Sequence, residues 1–367
     1  MRVRYSYLHQ QFAESEPYLD DIRGLVESGD FTLGAAVDQF EERFAEVCDL
    51  PYAVGVGSGT DALILSMRMA GIGHGDEVIT TPNTFTATVG AIVATGAKPV
   101  FVDNDEHYTI NPELISAAIT SRTKGILPVH LTGHPADMPR IMEIANKNNL
   151  VVIEDAAQSI LASIDGKHVG HWGETAAFSL HPLKNLNVWG DGGIIATRSK
   201  EMYDKLKLYR NHGLETRDNI TVFGVNSRLD SLQALVANRL IDQVHEITDS
   251  RIANAHRYDK GFSRLGEWVV IPPRSPNVKQ VYHTYVIQVA DRDALVDHLK
   301  QLGVDAKVHY PTPLHLQPAA DYLGYKSGDF PLCEEHCKTI ISLPVHQHIT
   351  EDEIDFVIDS ITKFYER

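Results

Sequence analysis

Cysteine is scarce in this sequence. Its 367 residues include three cysteines, Cys48, Cys333 and Cys337. An odd and sparse set excludes a disulfide framework and is typical of a reducing compartment. Cys333, His336 and Cys337 lie close together, but no second pair of ligands follows at a zinc-like spacing. We therefore predict no metal site.

Basic residues and long apolar runs are also lacking. Lysine and arginine number 33 against 49 aspartates and glutamates, which gives a formal net charge of −16. Such an acidic surface repels phosphate backbones, so we expect no nucleic-acid partner. No apolar run reaches the roughly 18 residues of a membrane span, and the first residues lack the apolar core of a signal peptide. We expect a cytoplasmic enzyme or binding protein with no membrane partner.

The sequence does contain an alternation of short apolar runs with helix-length segments. The runs PVFVD and NLVVIEDA are apolar throughout, as expected of strands buried on both faces. Strands separated by helices favour βαβ units and a mostly parallel sheet. The predicted strands are 52–56, 77–80, 99–102, 125–130, 151–155, 175–180 and 193–197, with helices at 61–70, 87–95, 112–119 and 138–148.

The pattern changes after about residue 245. Apolar residues spaced three or four apart predict a long helix over 229–244, whose apolar face either packs in the core or lies near a subunit interface. Beyond it, strands are predicted at 283–289, 305–308 and 340–343, and helices at 292–302 and 351–365. At roughly 150 residues per domain, the length admits two or three domains. We predict an α/β fold with a large domain over residues 1–245 and a smaller C-terminal α/β domain over 246–367.

A glycine-rich segment, VGVGSGTDAL, follows the first predicted strand, and a helix begins near Thr60. Glycines let backbone N–H groups approach an anion, and a helix N-terminus adds positive potential, so this segment can bind a phosphate. Thr60 stands where the G-x-G-x-x-G dinucleotide motif needs its third glycine, and the G-K-S/T of a P-loop is absent. The alternative is a plain strand-to-helix turn capped by Ser58 or Thr60.

Asp155 stands at the carboxyl end of the apolar run VVIED. Ligands bind at that edge of open α/β sheets, where a carboxylate can hold a proton on a ring nitrogen. Gln158, three residues later, can reach the same ligand. The alternative is that Asp155 only caps a following helix.

The segment SLHPLKNLNVWGDGG places Ser179, His181 and Lys184 between two predicted strands. A lysine in such a loop is a candidate Schiff-base nucleophile, although most lysines are solvated surface residues. The segment PNTF adds an aromatic candidate, Phe85. An anion cup, a strand-end carboxylate, an aromatic face and an amine are together the parts that pyridoxal phosphate requires.

The order of the motifs along the chain resembles the DegT/DnrJ/EryC1/StrS family, which are sugar aminotransferases of the aspartate aminotransferase class (fold type I). The similarity covers about residues 5–365. It is carried by GSGTDAL, GDEVITTPNTFTAT, GAKPVFVD, EDAAQS, SLHPLKNLNVWGDGG, RNHG, GVNSRLDSLQAL and VHYPTPLHLQP. The resemblance implies a pyridoxal 5′-phosphate cofactor and an amino-transfer reaction in amino-sugar biosynthesis.

The resemblance also implies a role for each residue at the cofactor ring. Lys184 would bind the cofactor as an imine and carry the proton during the reaction. Asp155 would pair with the pyridine nitrogen, Gln158 would contact the 3-oxygen of the ring, and Phe85 would stack on the ring.

The implied phosphate contacts come from two subunits. Ser179 and the backbone of Gly59 and Thr60 would bind the phosphate within one subunit. Asn226 would reach the phosphate that the other subunit binds. The resemblance therefore implies a homodimer with shared active sites.

The implied substrates are a nucleotide-linked keto sugar and an amino donor, with glutamate expected as the donor. LKNLNVWGDGG and VHYPTPLHLQP look more like members that aminate a 3-keto than a 4-keto sugar. Arg210 and Arg228 are candidates to balance the diphosphate, or are structural. Trp189 replaces the smaller residues common at its position and is expected to reshape the sugar pocket. The family positions near the substrate are His181, Trp189, His309, Tyr310 and His315.

Three other interpretations stay open. Sugar 3-dehydratase-like relatives use the same cofactor, but they resemble this chain with histidine where Lys184 stands. A non-catalytic regulator is disfavoured because Lys184, Asp155 and Gln158 are all present. A nucleotide- or nicotinamide-binding protein is disfavoured by the broken glycine motif.

Overall fold

A computed structural model describes residues 1–366 of the chain. These residues form thirteen α-helices and fifteen strands. The helices are α1 (Leu8–Gln11), α2 (Glu16–Ser28), α3 (Ala35–Val47), α4 (Gly59–Met69), α5 (Thr86–Thr95), α6 (Pro112–Ala118), α7 (Met138–Asn148), α8 (Lys200–Tyr209), α9 (Ser231–Leu240), α10 (Val244–Phe262), α11 (Arg292–Gln301), α12 (Pro331–Thr339) and α13 (Glu351–Tyr365). The strands are β1 (Tyr52–Val56), β2 (Glu77–Thr80), β3 (Lys98–Phe101), β4 (Thr123–Ile126), β5 (Val151–Asp155), β6 (Ser163–Ile164), β7 (Lys167–His168), β8 (Thr175–Ser179), β9 (Gly193–Thr197), β10 (Leu214–Thr216), β11 (Asn219–Ile220), β12 (Val269–Val270), β13 (Val278–Lys279), β14 (Tyr285–Val289) and β15 (Ile340–Leu343).

The centre of the fold is a seven-stranded sheet in the order β1-β9-β8-β5-β4-β2-β3. Strand β9 is antiparallel to both of its neighbours, and the remaining pairs are parallel. The carboxyl ends of six strands therefore meet at one edge, which is where ligands bind in open α/β sheets. The predicted α/β fold with a mostly parallel sheet is confirmed.

The predicted strands match the sheet closely, with one instructive difference. Strands β1, β2, β5 and β9 have the predicted bounds. The strand predicted over 125–130 ends at Ile126, and beyond it only an isolated parallel bridge pairs Val129 with Asp155. Pro128 lies within the predicted run and has no N–H to extend a strand ladder. The apolar character of 127–130 instead reflects burial, since Leu127, Val129 and His130 are all buried.

The long helix predicted over 229–244 is interrupted. Helix α9 ends at Leu240, a 3₁₀ turn covers Ile241–Gln243, and α10 then continues to Phe262. Leu240 and Val244 belong to the core cluster beneath the sheet. The apolar face of this segment is therefore largely used inside its own subunit, although Leu232 remains 36% exposed.

The C-terminal part has its own sheet and core. Strands β12, β14 and β15 form an antiparallel sheet, and α10, α11 and α13 pack in the same apolar cluster. The prediction of a strand over 305–308 is wrong in extent, because that segment contributes only an isolated bridge between Lys307 and Ser342. Val3 lies in this C-terminal cluster and pairs with Val304, so the first residues pack with the end of the chain. The division at 245/246 stays a prediction.

Residues 1–366 contain neither a membrane-spanning helix nor a cluster of metal ligands. None of their helices combines the length and the apolar character needed to cross a bilayer. No group of three or more histidine, cysteine or acidic side chains in this part of the chain is arranged to hold a metal ion. Cys333 and Cys337 are instead buried against Phe101 and Phe330.

Candidate active site

A cleft of about 440 Å³ lies at the carboxyl edge of the seven-stranded sheet. The loops after β1, β2, β4, β5 and β8 all contribute to its walls. Ten of the residues predicted from the sequence line this cleft: Gly59, Thr60, Phe85, Asp155, Gln158, Ser179, His181, Lys184, His309 and Tyr310. These side chains come from positions more than 200 residues apart, and the sheet edge brings them together.

The start of α4 forms an anion cradle at one end of the cleft. Ser58 caps the helix, since its Oγ accepts the Asp61 N–H at 3.0 Å. The first intrahelical bond runs from Ala62 N–H to Ser58 O, so the N–H groups of Gly59 and Thr60 precede the helical ladder. Gly59 is required here, because a Cβ at that position would lie 2.7 Å from the Cβ of Ser179. The cradle thus combines free helix N–H groups with a serine hydroxyl.

Asp155 ends β5 and faces the cleft while 4% exposed. Its Oδ2 accepts the Thr88 hydroxyl at 2.7 Å, and its Oδ1 accepts the Ala157 N–H at 3.2 Å. Burial raises the pKa of Asp155 above its usual value, and the bonds from Thr88 and Ala157 together with nearby Lys184 offset part of that rise. No helix follows Asp155, because turns occupy 157–161. The helix-cap alternative is therefore wrong.

Lys184 lies in the loop between β8 and β9, and its backbone is fixed on both sides. Its N–H donates to His181 O at 2.8 Å, and its carbonyl accepts from Asn187 Nδ2 at 2.9 Å and from the Tyr7 hydroxyl at 3.1 Å. Burial lowers the pKa of the Lys184 amine to about 8, although Asp155 opposes the shift. An amine with this pKa is partly unprotonated near neutral pH and can act as a nucleophile. Lys184 is thus not a solvated surface lysine.

Phe85 and Gln158 present two kinds of surface to the cleft. Phe85 precedes α5, is 54% exposed, and its ring centre lies 6.1 Å from that of Tyr310. Gln158 Oε1 accepts the Thr132 N–H at 2.7 Å. This bond fixes the amide, so that its NH₂ group is left to donate to a ligand.

Two histidines, His283 and His309, also line the cleft. His309 Nδ1 hydrogen-bonds to Ser342 Oγ at 2.9 Å, and burial with the charges of Lys184 and Lys307 lowers its pKa to about 4. Burial also lowers the pKa of His283 well below its usual value, with Lys184 and Arg251 adding to the effect. Both rings are therefore neutral near pH 7 and can exchange hydrogen bonds with the hydroxyl or carbonyl groups of a ligand.

Three of the predicted residues do not line the cleft of this subunit. Trp189 packs against the rings of Phe12 and Tyr18, with centre distances of 5.6 and 5.3 Å. Its partly buried side chain packs against the core cluster and does not line the cleft, so within this chain it does not shape a sugar pocket. Asn226 is exposed and pairs with Asn211 in an isolated bridge.

His315 is the third residue outside the cleft, and it is buried. Its Nε2 lies 3.1 Å from Glu334 Oε1, and its ring packs edge-on against Phe330. These contacts occupy the side chain within the fold. The expectation that His315 faces the substrate therefore has no support in the geometry of this subunit.

The two arginines that were candidates to balance the diphosphate differ in burial and in their partners. Arg210 is 2% exposed and is bonded to the Glu41 carboxylate and to Gly55 O, so the suggestion that it meets a ligand is wrong. Arg228 is half-buried and donates to Asn211 Oδ1 at 3.1 Å, which leaves it the more accessible of the two.

Several residues that line the cleft or contact Asp155 were not predicted from the sequence. Thr88 lies three positions after Phe85 in the motif TFTAT, in the first turn of α5, so its position beside the site was available as a signal. Thr132, His283 and Thr284 also line the cleft. Thr132 lies in the 3₁₀ turn Leu131–Gly133, and the other two lie just before β14, where no local pattern marks them.

The comparisons with known proteins identify the family of this chain. Residues 13–362 match the DegT/DnrJ/EryC1/StrS aminotransferase family. The chain therefore belongs to this family, and both the resemblance found in the sequence and the aminotransferase class are confirmed.

Individual relatives match over almost the whole chain. A dTDP-3-amino-3,4,6-trideoxy-α-D-glucose transaminase of Streptomyces venezuelae is 39% identical over 94% of this chain and 91% of its own. A pleiotropic regulatory protein of Geobacillus stearothermophilus is 40% identical over 100% of this chain and 99% of its own. The crystal structure of DesV from S. venezuelae in complex with a ketimine intermediate superposes with a TM-score of 0.97, at 38% identity, and covers 100% of this chain and 99% of that one.

Proposed function

We propose that this protein is a pyridoxal-phosphate-dependent aminotransferase that transfers an amino group from glutamate to a nucleotide-linked 3-keto sugar. The observation that carries the proposal is the convergence of Lys184, Asp155 and the α4 N-terminus on one cleft. A lysine with a lowered pKa opposite a buried carboxylate is the arrangement that this cofactor needs.

The described residues fit the cofactor group by group. The cradle of Gly59, Thr60 and Ser179 would hold the phosphate, and Phe85 offers the ring a face. Asp155 would pair with the ring nitrogen, and the Gln158 NH₂ group would donate to a ring oxygen, since its Oε1 is already bonded to Thr132.

Bound pyridoxal phosphate supplies an electron-accepting ring that stabilises negative charge at the carbon bearing the amine. Asp155 keeps a proton on the ring nitrogen, and Thr88 holds the carboxylate in place for that task. Lys184 releases and takes up the proton at the reacting carbon, which suits an amine with a pKa of about 8. Neutral His309 and Tyr310 stand on the wall where the sugar would lie.

The 3-keto assignment rests on the two loop motifs, and the 39% identical relative from S. venezuelae is named for a 3-amino sugar. The 40% identical relative is named a regulatory protein, so a non-catalytic role is the second candidate. Intact Lys184 and Asp155 in one cleft support the catalytic assignment over the regulatory one.

A shared site would complete the phosphate cradle. Ser227 Oγ accepts the Gly57 N–H at 3.1 Å and donates to Asp61 at 2.8 Å, which ties the segment beside Asn226 to the start of α4. Asn226 itself is exposed. The exposed Asn226 side chain is available to a second copy of the chain, and on the family resemblance we propose that it contacts the phosphate of a partner subunit in a homodimer.

The test begins with the cofactor. Protein incubated with pyridoxal phosphate should develop visible absorbance, and borohydride reduction with peptide mapping should place the adduct on Lys184. The amine form of the cofactor should then convert a 3-keto nucleotide sugar faster than its 4-keto isomer in a single turnover. An adduct on another lysine would refute the site, and the absence of cofactor absorbance would favour the regulatory role.

A further inference from the structure

The turn that holds the Gln158 amide has an unusual backbone conformation. Thr132, whose N–H donates to Gln158 Oε1 at 2.7 Å, has a φ of 62°. Left-handed backbone is rare for β-branched residues, because it brings Cβ close to the following carbonyl oxygen. Among residues 1–366, Thr132 is the one β-branched residue with a positive φ. Such a conformation persists only where the surrounding structure holds it, and it occurs most often at functional sites.

The segment before β14 packs directly against this turn. Val281 N–H donates to Gly133 O at 3.0 Å. Gly133 has a φ of 93°, and a Cβ at this position would lie 2.8 Å from the backbone nitrogen of Tyr282. Tyr282 has a positive φ as well, of 45°. The turn Leu131–Gly133 is therefore held against this segment with no room for one more carbon at Gly133.

A side-chain hydrogen bond also holds Thr132. Its Oγ1 accepts from Gln280 Nε2 at 3.1 Å, and Gln280 Oε1 accepts from Arg274 Nη1 at 3.1 Å. Because arginine is only a donor, the second bond fixes which end of the Gln280 amide faces Thr132. Arg274 in turn pairs with Asp259 on α10 at 3.0 Å. A glycine in place of Thr132 would adopt the same backbone without strain, but it would have no hydroxyl for Gln280 to reach.

We propose that Thr132 and Gln280 are positioning residues that orient the Gln158 amide toward the cofactor ring. The inference rests on the proposed function, in which the Gln158 NH₂ group donates to the ring 3-oxygen. The Thr132 N–H can meet only the oxygen of that amide, so the NH₂ group is directed away from Thr132. Gln280 holds the Thr132 side chain and thereby the backbone conformation that faces Gln158. Gln280 does not line the cleft, so it acts on the cleft only through other residues.

The test follows the visible absorbance of the cofactor-loaded protein as a function of pH. A donor to the ring 3-oxygen stabilises the anionic form of that oxygen, so loss of the donor should raise the apparent pKa at which the absorbance changes. Gln280→Met and Thr132→Val each break the side-chain bond, Thr132→Ser keeps it, and Gln158→Leu removes the donor itself. Thr248→Val is the control, because it removes a buried hydroxyl that donates to Val244 O within α10 and does not line the cleft.

We expect the midpoint of the absorbance change to rise by roughly 0.5 to 1 pH unit in Gln158→Leu, as the loss of one hydrogen bond predicts. Thr132→Val and Gln280→Met should raise the midpoint by at least about 0.3 pH unit, because the Gln158 amide is then free to turn. Thr132→Ser and the control should keep the wild-type midpoint. In the Gln158→Leu background neither Thr132→Val nor Gln280→Met should cause a further rise, because both act through Gln158.

A wild-type midpoint in Gln280→Met would overturn the inference, even if Thr132→Val fails to fold. A further rise in the Gln158→Leu background would overturn it too, because the two residues would then affect the ring by another route. These outcomes leave the proposed function intact, since the wild type still binds the cofactor. A wild type that develops no visible absorbance with pyridoxal phosphate would instead refute the proposed function and this inference with it.

Discussion

Glu154 and Asp155 are neighbours on β5 and both carry a carboxylate, but they lie on opposite faces of the sheet. The face of Glu154 is closed by hydrogen-bond donors, and the face of Asp155 opens onto the cleft. Glu154 accepts four hydrogen bonds, from His130 Nε2 and from the N–H groups of Gly170, Trp172 and Gly173, at 2.8 to 3.1 Å. Its carboxylate is enclosed and fully satisfied. Strand alternation sends Asp155 to the other side, where it faces the cleft.

The difference in partners appears in the two pKa values. Burial alone would raise the pKa of Glu154, but the bonds from His130, Gly170 and Gly173 outweigh it and leave the pKa below its usual value. Asp155 has two donors, too few to cancel burial, and its pKa is raised. A saturated carboxylate stabilises the fold, whereas an unsaturated one is available to a ligand.

Among the residues on the open face, substitution of Lys184 should lower activity the most. Lys184→Ala should lower turnover by at least about 10⁴-fold, because it removes both the nucleophile and the proton carrier. The cofactor absorbance should disappear while the unfolding midpoint in urea stays near the wild-type value. Residual turnover near the wild-type level would exclude Lys184 as the catalytic amine.

Asp155→Asn should separate chemistry from binding. Turnover should fall roughly 10²–10³-fold, because an amide cannot hold the ring proton, while the phosphate cradle keeps cofactor occupancy high. Occupancy is measured by absorbance titration and turnover by a coupled assay. Near-native rates would show that the charge of Asp155 has no part in the reaction.

On the closed face, Glu154→Gln should lower the stability of the fold and leave the chemistry of the cleft unaffected. Loss of a buried, fully bonded carboxylate should cost about 3 kcal/mol in the free energy of unfolding, measured with urea. Since the folded pKa of Glu154 is lowered, its stabilisation is complete above its ordinary value of 4.5 and is lost as the pH falls through the folded pKa. The gap between wild type and variant should therefore shrink below about pH 4.5. A gap that persists unchanged in acid would contradict the comparison.

Substitution of Asn226 tests whether a residue of one subunit contributes to the cofactor site of the other. Asn226→Asp should weaken cofactor binding roughly tenfold or more, because it places a carboxylate against the phosphate. Mixing it with Lys184→Ala should restore part of the activity, since one hybrid site would hold both native residues. Subunit exchange must first be demonstrated with tagged chains. An active monomer, or no recovery despite exchange, would place Asn226 outside a shared site.

Substitution of Thr88 should have the smallest effect, a shift in the pKa of Asp155. Thr88→Val removes the hydroxyl that donates to Asp155 at 2.7 Å, so the pKa of Asp155 should rise further. The acidic limb of the pH profile of kcat/KM should move to higher pH, with roughly a tenfold loss of rate on that limb. Thr88→Ser should restore the wild-type profile. An unshifted profile in Thr88→Val would show that this bond does not tune the carboxylate.

Much of the candidate site could be predicted because its residues occupy fixed places in local motifs. Gly59 follows a strand and opens a helix, Asp155 ends an apolar strand, and Ser179 and Lys184 flank the next strand end. Parallel strands deliver such positions to one edge of the sheet. The failures lie where a side chain has competing partners. Trp189 and His315 come from motifs next to the site, but aromatic packing and Glu334 occupy them.

The sequence by itself determined the α/β class, most strand bounds and ten of the residues that line the cleft, because the periodicity of apolar residues and the strand-end motifs are local properties. Only the tertiary structure decided which charged groups are satisfied. Arg210 meets Glu41 across 169 positions, whereas Arg251 meets neutral groups beside an open cavity. Whether a buried charge is neutralised depends on chain segments that approach from far away, and no local pattern specifies that approach.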